Sequence, residues 1–559
     1  MKTILTALAA IALFACTSVA QDVPPEPKID AVDMLQKYLK AEGKERESLR
    51  KQLIDLGYGR VRAAIRALPY TNPGTTEVIK RYTECPDGFK RPYWVWPPEN
   101  YDPGQAYGLF VVMHGGVSGW PLEGDAARPS VGEYSGVQFH GALPDELRGK
   151  VAVLSCSAGV PDTHETAAWW HLNGQRNVLH MIAQAKALLN IDDDKVIVTG
   201  MSDGGSGTFA FAYRMPDTFA GFYAAIGHPL VAAADGTPVW LENLKGSNIY
   251  AFNGGVDRLY PSAQMIPIYE QANAAGANIK VKDYPKLGHE IASVLEDELK
   301  NFAKEFWSNW TRDLLPREVD WTSTSPARGG RAWLHIREIA NYGGADAAIP
   351  NVEIKTPGAR VRLGVQLEQD SSPPKVETVV AGSVAERIGV KQGDVIIKLD
   401  SKEIKKFDDL VNALGEKSPG DEVTLVVRRG KDEHALKGRF PRAERPSAEA
   451  PVEARVIGTQ QGGAVNIKVR NVSKLAIRIH PDMITKDGSL RVTLEGAKDK
   501  TATVSLTAIK GDPAWLLQQF EATRDRKQPF ICEVEIDVAR ALALKVAGKK
   551  PPAQEEDEF

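Results

Sequence analysis

From about residue 76 to 314 the chain alternates between short unbroken apolar runs and longer stretches with apolar positions every three or four residues. The runs Leu109–Met113, Val151–Ser155, Val196–Thr199, Ile249–Phe252 and Ile279–Tyr284 read as strands buried on both faces. Asn177–Leu189 and Ser293–Trp310 read as helices. Strands of this kind between helices predict an α/β fold, a doubly wound, mainly parallel sheet covered on both sides. Before it, residues 29–68 show apolar faces at helical spacing (Val32, Leu35, Leu39; Leu49, Leu53, Leu56) and end at Pro69. These predict a helical segment, 21–75, capping the next domain.

Beyond residue 314 the period changes. "AVNIKVRNV", "LAIRI" and "LRVTLEG" alternate at period two, and Asp487-Gly488 is a hairpin signal. "DPAWLLQQF" predicts a short helix with Asp512 as N-cap and Pro513 at its first position. "RAWLHIREI" (Arg331–Ile339) stands apart as a lone strand. Pairing it with the later β segment makes a discontinuous, small β-rich domain of 318–356 and 450–545. Residues 357–442, with short strands and two short helices, are then an insertion, followed by a Pro/Ala/Glu linker. Residues 546–559, Lys/Pro-rich and then acidic, are expected to be a disordered tail.

A chain of 559 residues exceeds one hydrophobic core. The 69 basic and 72 acidic residues leave a net charge of -3, which argues against a nucleic-acid partner. Residues 1–20 carry a basic start, an apolar run and a small-x-small site, the pattern of a secretory signal peptide. "LFAC", ending at Cys16, loosely resembles a lipid-attachment site, but Phe14 fits it poorly. A secreted or periplasmic protein without a lipid anchor is the expectation. No other apolar run is long enough for a transmembrane segment. Past the signal, Cys85, Cys156 and Cys532 remain, and a Cys85–Cys156 bridge is left open. No Cys-x-x-Cys pair exists, so no structural zinc site is expected, and no motif in the sequence implies a dissociable cofactor.

Gly200-Met201-Ser202-Asp203-Gly204 falls between a strand and a helical pattern. A sharp turn there holds a serine in strained geometry, and the glycines admit close backbone approach. A serine nucleophile needs a base, and the base an orienting carboxylate. Downstream, Asp257 and His289 each follow their own strand and would meet Ser202 at one sheet edge. Asp283 is a rival acid, disfavoured because it lies within a strand. "LFVVMHGG" ends a strand in His114-Gly115-Gly116, so Gly116 N–H and Asp203 N–H are candidate oxyanion donors. His114, Trp169 and Trp170, with His164 and His171, are candidate pocket residues. A metal pair from His164 and His171 is set aside.

"RPYWVWPPENYDPGQAYGLFVVMHGG", "NIDDDKVIVTGMSDGGSGTFAFAYRMPDTFAGFYAAIG", "NGGVDRLYP" and "GHE" resemble α/β-hydrolase esterases of the polyhydroxybutyrate-depolymerase, feruloyl-esterase and esterase D type, over about residues 85–312. The resemblance implies a Ser-His-Asp triad on Ser202, His289 and Asp257. Asp203 departs from the Met, Gln or Leu that often follows the serine. "VRLGV", "VVAGSVAERIGVKQGDVIIKLDSKEI" and "FDDLVNAL" resemble a PDZ domain of the bacterial secreted-protease kind. That implies a loop through Arg362, Leu363 and Gly364 for a peptide carboxylate, a strand edge starting at Val365, and groove walls at Phe407 and Val411. The expected whole is an exported serine hydrolase acting on small or polymeric carboxylic esters. Its PDZ module would take peptide C-termini, with the chain's own "AQEEDEF" end as one candidate. The alternatives are a serine peptidase of prolyl-oligopeptidase-like type and a PDZ-mediated binding protein on a hydrolase scaffold.

Overall fold

A computed structural model describes residues 29–117, 131–158, 168–235, 237–342, 361, 363–368, 371–380, 383–417, 420–440, 452–496 and 500–544. Residues 1–20 with Cys16, His164, Arg362 and residues 546–559 lie outside them.

The α/β domain is built on an eight-stranded sheet: β1 (Ile79–Glu84), β2 (Lys90–Trp96), β3 (Tyr107–Met113), β4 (Val151–Cys156), β5 (Ile191–Met201), β6 (Gly221–Ala225), β7 (Asn248–Gly254) and β8 (Asn278–Tyr284). The spatial order is β1-β2-β4-β3-β5-β6-β7-β8. β1 and β2 pair antiparallel, as do β2 and β4, and the other neighbours are parallel. The period of two along a strand splits the sheet between two cores. Leu109, Val111 and Met113 of β3 join one core with Met181 and Phe209 from the helices Leu172–Leu188 and Asp203–Arg214. Phe110 and Val112 join the other with Phe139, Leu299 and Phe302. The closing helix spans Leu295–Glu305, shorter than its apolar pattern, with Trp310 still packed in the second core.

Three strands carry no strong sequence signal. β2 contains Pro92, which normally argues against a central strand. β4 pairs with β2 only from Tyr93 onward, so Pro92 has a single neighbour, β1, and its missing N–H breaks no ladder on the other side. β1 alternates poorly, and β6 is only five residues long.

Glu318–Ser323 pairs with Ala454–Gln461, and Leu334–Ile339 with Val472–Ile479. Strands from before and after residues 361–440 thus share a five-stranded and a four-stranded sheet. Buried polar links tie this β body to the α/β domain: Asn243 and Thr322 exchange backbone and side-chain hydrogen bonds at 3.0 Å, and Arg312 pairs with Asp525 at 2.6 Å. Residues 361–440 bury their own core of Leu363, Val376, Ile396, Leu410 and Leu425.

Asp487-Gly488 does turn the chain, with Gly488 at φ 73°, but it joins no hairpin. The flanking strands, Val472–Ile479 and Leu490–Glu495, belong to different sheets, and Leu490–Glu495 instead pairs parallel with Ala464–Arg470. Asp512 caps the helix Pro513–Thr523 through N–H bonds from Ala514 at 2.8 Å and Trp515 at 3.2 Å. That helix was expected within the β domain. Its Leu516, Leu517 and Phe520 are instead buried with Leu35, Tyr38, Leu53, Val61 and Ile65 of the N-terminal helices. Residues 29–68 and 511–521 thus form a separate compact unit. Cys85, Cys156 and Cys532 are buried free thiols, so no Cys85–Cys156 bridge forms. No helix among the described residues is long and apolar enough to cross a membrane.

Because residues 361–440 carry their own core, replacing 360–440 by a short Gly/Ser linker should leave the remainder cooperatively folded. Thermal unfolding of the shortened chain checks this. Loss of the cooperative transition would make the segment part of its host's core.

Candidate active site

Ser202 follows the last residue of β5 and precedes the helix Asp203–Arg214, with φ 55° and ψ −118°. A side chain at φ > 0 is strained, and such strain persists only where packing enforces it. Here the enforcement is steric. A Cβ on Gly204 would lie 1.9 Å from the Met113 carbonyl oxygen, and one on Gly200 would lie 2.5 Å from the same atom. Ser202 N–H donates to the Ala225 carbonyl at 3.1 Å, anchoring the turn to the end of β6.

The loop after β7 carries Asp257, which is 3% exposed. Its Oδ1 accepts the N–H groups of Leu259 at 2.7 Å and Tyr260 at 2.8 Å. The loop after β8 carries His289, whose Nδ1 is 2.9 Å from Asp257 Oδ2 and whose Nε2 is 2.8 Å from Ser202 Oγ. An ionised carboxylate only accepts, so Nδ1 carries the proton and Nε2 offers its lone pair to the Ser202 hydroxyl. Burial alone would push the Asp257 carboxyl up. The hydrogen bonds from His289, Tyr260 and Leu259, with the pull of the imidazole, outweigh it and hold the group below its ordinary value. Asp283 sits inside β8 with its side chain exposed and makes no part of this line.

The loop after β3 crosses the serine turn. A Cβ on Gly115 would be 3.1 Å from Ser202 Cβ, and Gly116 is exposed with φ 57°. Asp203 Oδ2 accepts the Val117 N–H at 3.1 Å. His114 and Trp169, expected in the pocket, are core residues at 3% and 1% exposure. His114 Nε2 accepts the Ala158 N–H at 3.2 Å, and Trp169 Nε1 donates to the His114 carbonyl at 2.9 Å. Trp170 is half-buried against the same core. Tyr260 escaped the sequence reading. Its ring meets that of His289 edge-on at 5.7 Å and that of His228 at 5.5 Å. The only signal was its place three residues after Asp257. No group of three or more His, Cys, Asp or Glu among the described residues is placed to hold a metal.

In the inserted module, Gly364 has φ 80°, and a Cβ there would lie 2.2 Å from Ser383 Cβ. The Leu363 side chain is in the core, so only its backbone is left to face a ligand. Val365–Leu367 pairs with Val376–Val379 and, among the described residues, with no strand on its other edge. Phe407 opens the helix Phe407–Gly415 and is 37% exposed. The Val411 side chain lies outside the described residues. The Arg258 guanidinium, next to Asp257 in sequence, sits 5.8 Å from the Phe407 ring centre, so the module meets the hydrolase at the acid-bearing loop.

Residues 161–314 match the dienelactone hydrolase family, and residues 361–437 match the PDZ domain. The chain therefore joins an α/β-hydrolase domain to a PDZ domain. Among curated proteins it is similar to a probable CtpA-like serine protease of Staphylococcus aureus, 28% identical over 25% of this chain and 27% of that protein. It is also similar to the serine protease PepD of Mycobacterium tuberculosis, 42% identical over 12% of this chain and 15% of that protein. The chain spans about a quarter or less of the length of these relatives. Among solved structures, a thermostable esterase shares 20% identity over 42% of this chain and 63% of that chain, with a TM-score of 0.34. The S-formylglutathione hydrolase of Staphylococcus aureus shares 14% over 42% of this chain and 98% of that chain, with a TM-score of 0.32.

The lowered Asp257 carboxyl has a consequence for stability. A depressed native value contributes stability above the unfolded value, about 3.9, and loses it as pH falls through the native one. Asp257→Asn should therefore flatten the acid limb of a plot of Tm against pH while lowering Tm near neutrality. An unchanged acid limb would show that the carboxylate is not held ionised by this network.

Proposed function

We propose that the chain hydrolyses carboxylic esters through an acyl-enzyme on Ser202, with His289 as base and then acid and Asp257 as the group that orients the imidazole. The observation that carries this reading is the unbroken hydrogen-bonded line Ser202 Oγ–His289–Asp257 across the loops after β5, β8 and β7. His289 Nε2 takes the hydroxyl proton as Ser202 Oγ bonds to the carbonyl carbon. The developing oxyanion is met by Gly116 N–H and Asp203 N–H. Collapse breaks the ester C–O bond, and His289 returns the proton to the leaving alcohol. Water, deprotonated by His289, then releases the acid and frees Ser202.

Peptide hydrolysis is the second reading, because the same groups cleave amides and a PDZ domain binds peptides. Export is part of the proposal. It is supported by the signal-like first twenty residues and by relatives such as the probable periplasmic serine endoprotease DegP-like of Hahella chejuensis. A binding role on an inactive scaffold is the weaker reading, since Ser202, His289 and Asp257 are all in hydrogen-bonding reach.

Ser202→Ala and His289→Ala should each cut turnover of p-nitrophenyl butyrate by about 10⁴- to 10⁶-fold, and the double variant little further. Asp257→Asn should cost somewhat less, and Asp283→Asn should cost almost nothing. Parallel assays on peptide anilides decide between ester and amide. Undiminished ester turnover in Ser202→Ala would refute the nucleophile.

The PDZ groove is expected to take a free C-terminus on an apolar residue. Titrating a peptide ending in EEDEF into the full chain lacking its own last seven residues, beside an amidated control, checks it. Equal binding of the two peptides removes the carboxylate from the recognition.

A further inference from the structure

A carboxylate one residue after the nucleophile is an unfavourable neighbour for a reaction that builds negative charge beside that nucleophile. Asp203 stands there, and its Oδ2 is engaged, accepting the Val117 N–H at 3.1 Å from the loop that crosses Ser202. The same loop is held from its other side. Ala158 N–H donates to His114 Nε2, so the imidazole proton is on Nδ1, which donates to the Gly115 carbonyl at 2.8 Å. That carbonyl and the Gly116 N–H belong to one planar peptide group and point in opposite directions. Fixing the carbonyl fixes the direction of the N–H. The two ties thus hold the Gly115–Gly116 peptide directly, through its own carbonyl, and from the following peptide, through the Val117 N–H. His114 is buried, and Trp169 Nε1 closes the support by bonding the His114 carbonyl at 2.9 Å. Burial also lowers the His114 value, which keeps the imidazole neutral as this pattern of donor and acceptor requires.

We infer that the Asp203 side chain, together with His114, is a positioning device that aims the Gly116 N–H at the reaction's oxyanion. This rests on Ser202 being the nucleophile. The Asp203 side chain acts through Val117 and touches no substrate. What matters in its side chain is the acceptor oxygen; its charge is a cost. The amide of Asp203→Asn keeps the acceptor and removes the charge, whereas Asp203→Ala removes both. A side chain serving only to favour the helix start by its charge would behave otherwise.

The test uses the full chain, p-nitrophenyl acetate as substrate, and an alkyl trifluoromethyl ketone, which adds to a serine to give a tetrahedral oxyanion. Asp203→Ala should lower kcat by about 10- to 100-fold, the scale of a misplaced oxyanion donor, with little change in KM. Affinity for the trifluoromethyl ketone should fall by the same factor as kcat/KM. Asp203→Asn should restore both to wild-type level or above. If Asp203→Ala does not fold, Asp203→Ser replaces it, since its hydroxyl stops short of Val117 while favouring a helix start. The inference is overturned if Asp203→Ala keeps full kcat and loses only melting temperature, if KM alone rises, or if Asp203→Asn is as impaired as Asp203→Ala. Failure of the underlying reading shows separately, as full ester turnover in Ser202→Ala.

Discussion

Everything at the candidate site depends on how closely three backbone segments approach behind Ser202. The carbonyl of Met113 at the end of β3 lies so near Gly200 and Gly204 that neither could carry a Cβ, and a Cβ on Gly205 would lie 2.5 Å from the Ala225 carbonyl oxygen and 3.0 Å from Gly227 Cα. Side-chain-free contacts at the ends of β3, β5 and β6 let the strand turn directly into the helix. The strain of Ser202 at φ 55° is paid for by that packing. Relaxing the contact would let the serine fall back toward an ordinary strand end, away from His289.

The base and acid depend on the same sheet edge. β7 and β8 run parallel in register from Asn248↔Asn278 to Gly254↔Tyr284, so their loops leave the sheet side by side. Asp257 is then buried, which by itself disfavours its charge. Two backbone N–H groups and the imidazole more than compensate. The side chain of His289 keeps 22% of its surface exposed, and the serine beside it is only partly covered, so the line ends where a substrate can reach it. The PDZ domain meets this same loop at Arg258 through Phe407, beside the acid.

Much of this was legible because it rests on local signals. Four strands of the sheet showed as apolar runs, whereas Ile279–Tyr284, interrupted by Lys280, Lys282 and Asp283, is an edge strand exposed along much of its length rather than buried on both faces; the glycines around Ser202 mark a turn whose sterics few other residues satisfy. Asp257 and His289 were legible through their positions after strands. Long-range packing was not. Pro92 hid β2, because nothing local says that only one neighbour runs beside it. Asp487-Gly488 was read as a hairpin because turn chemistry does not reveal that the next strand enters another sheet. The helix Pro513–Thr523 showed its cap but not its partner helices, more than 400 residues earlier in the chain. His114, Trp169 and Leu363 looked like site residues by position, and only burial shows their side chains to be supports within the core.

In the proposed reaction Ser202 carries the acyl group between its two halves. Rapid-quench intact-mass analysis of the full chain with p-nitrophenyl acetate, followed by peptide mapping, tests it most directly. One acetyl group per chain is expected, formed as fast as the burst of nitrophenol, mapping to the segment around Ser202 and lost again on standing. An acetyl group on another residue, or a burst with no covalent adduct, would contradict it.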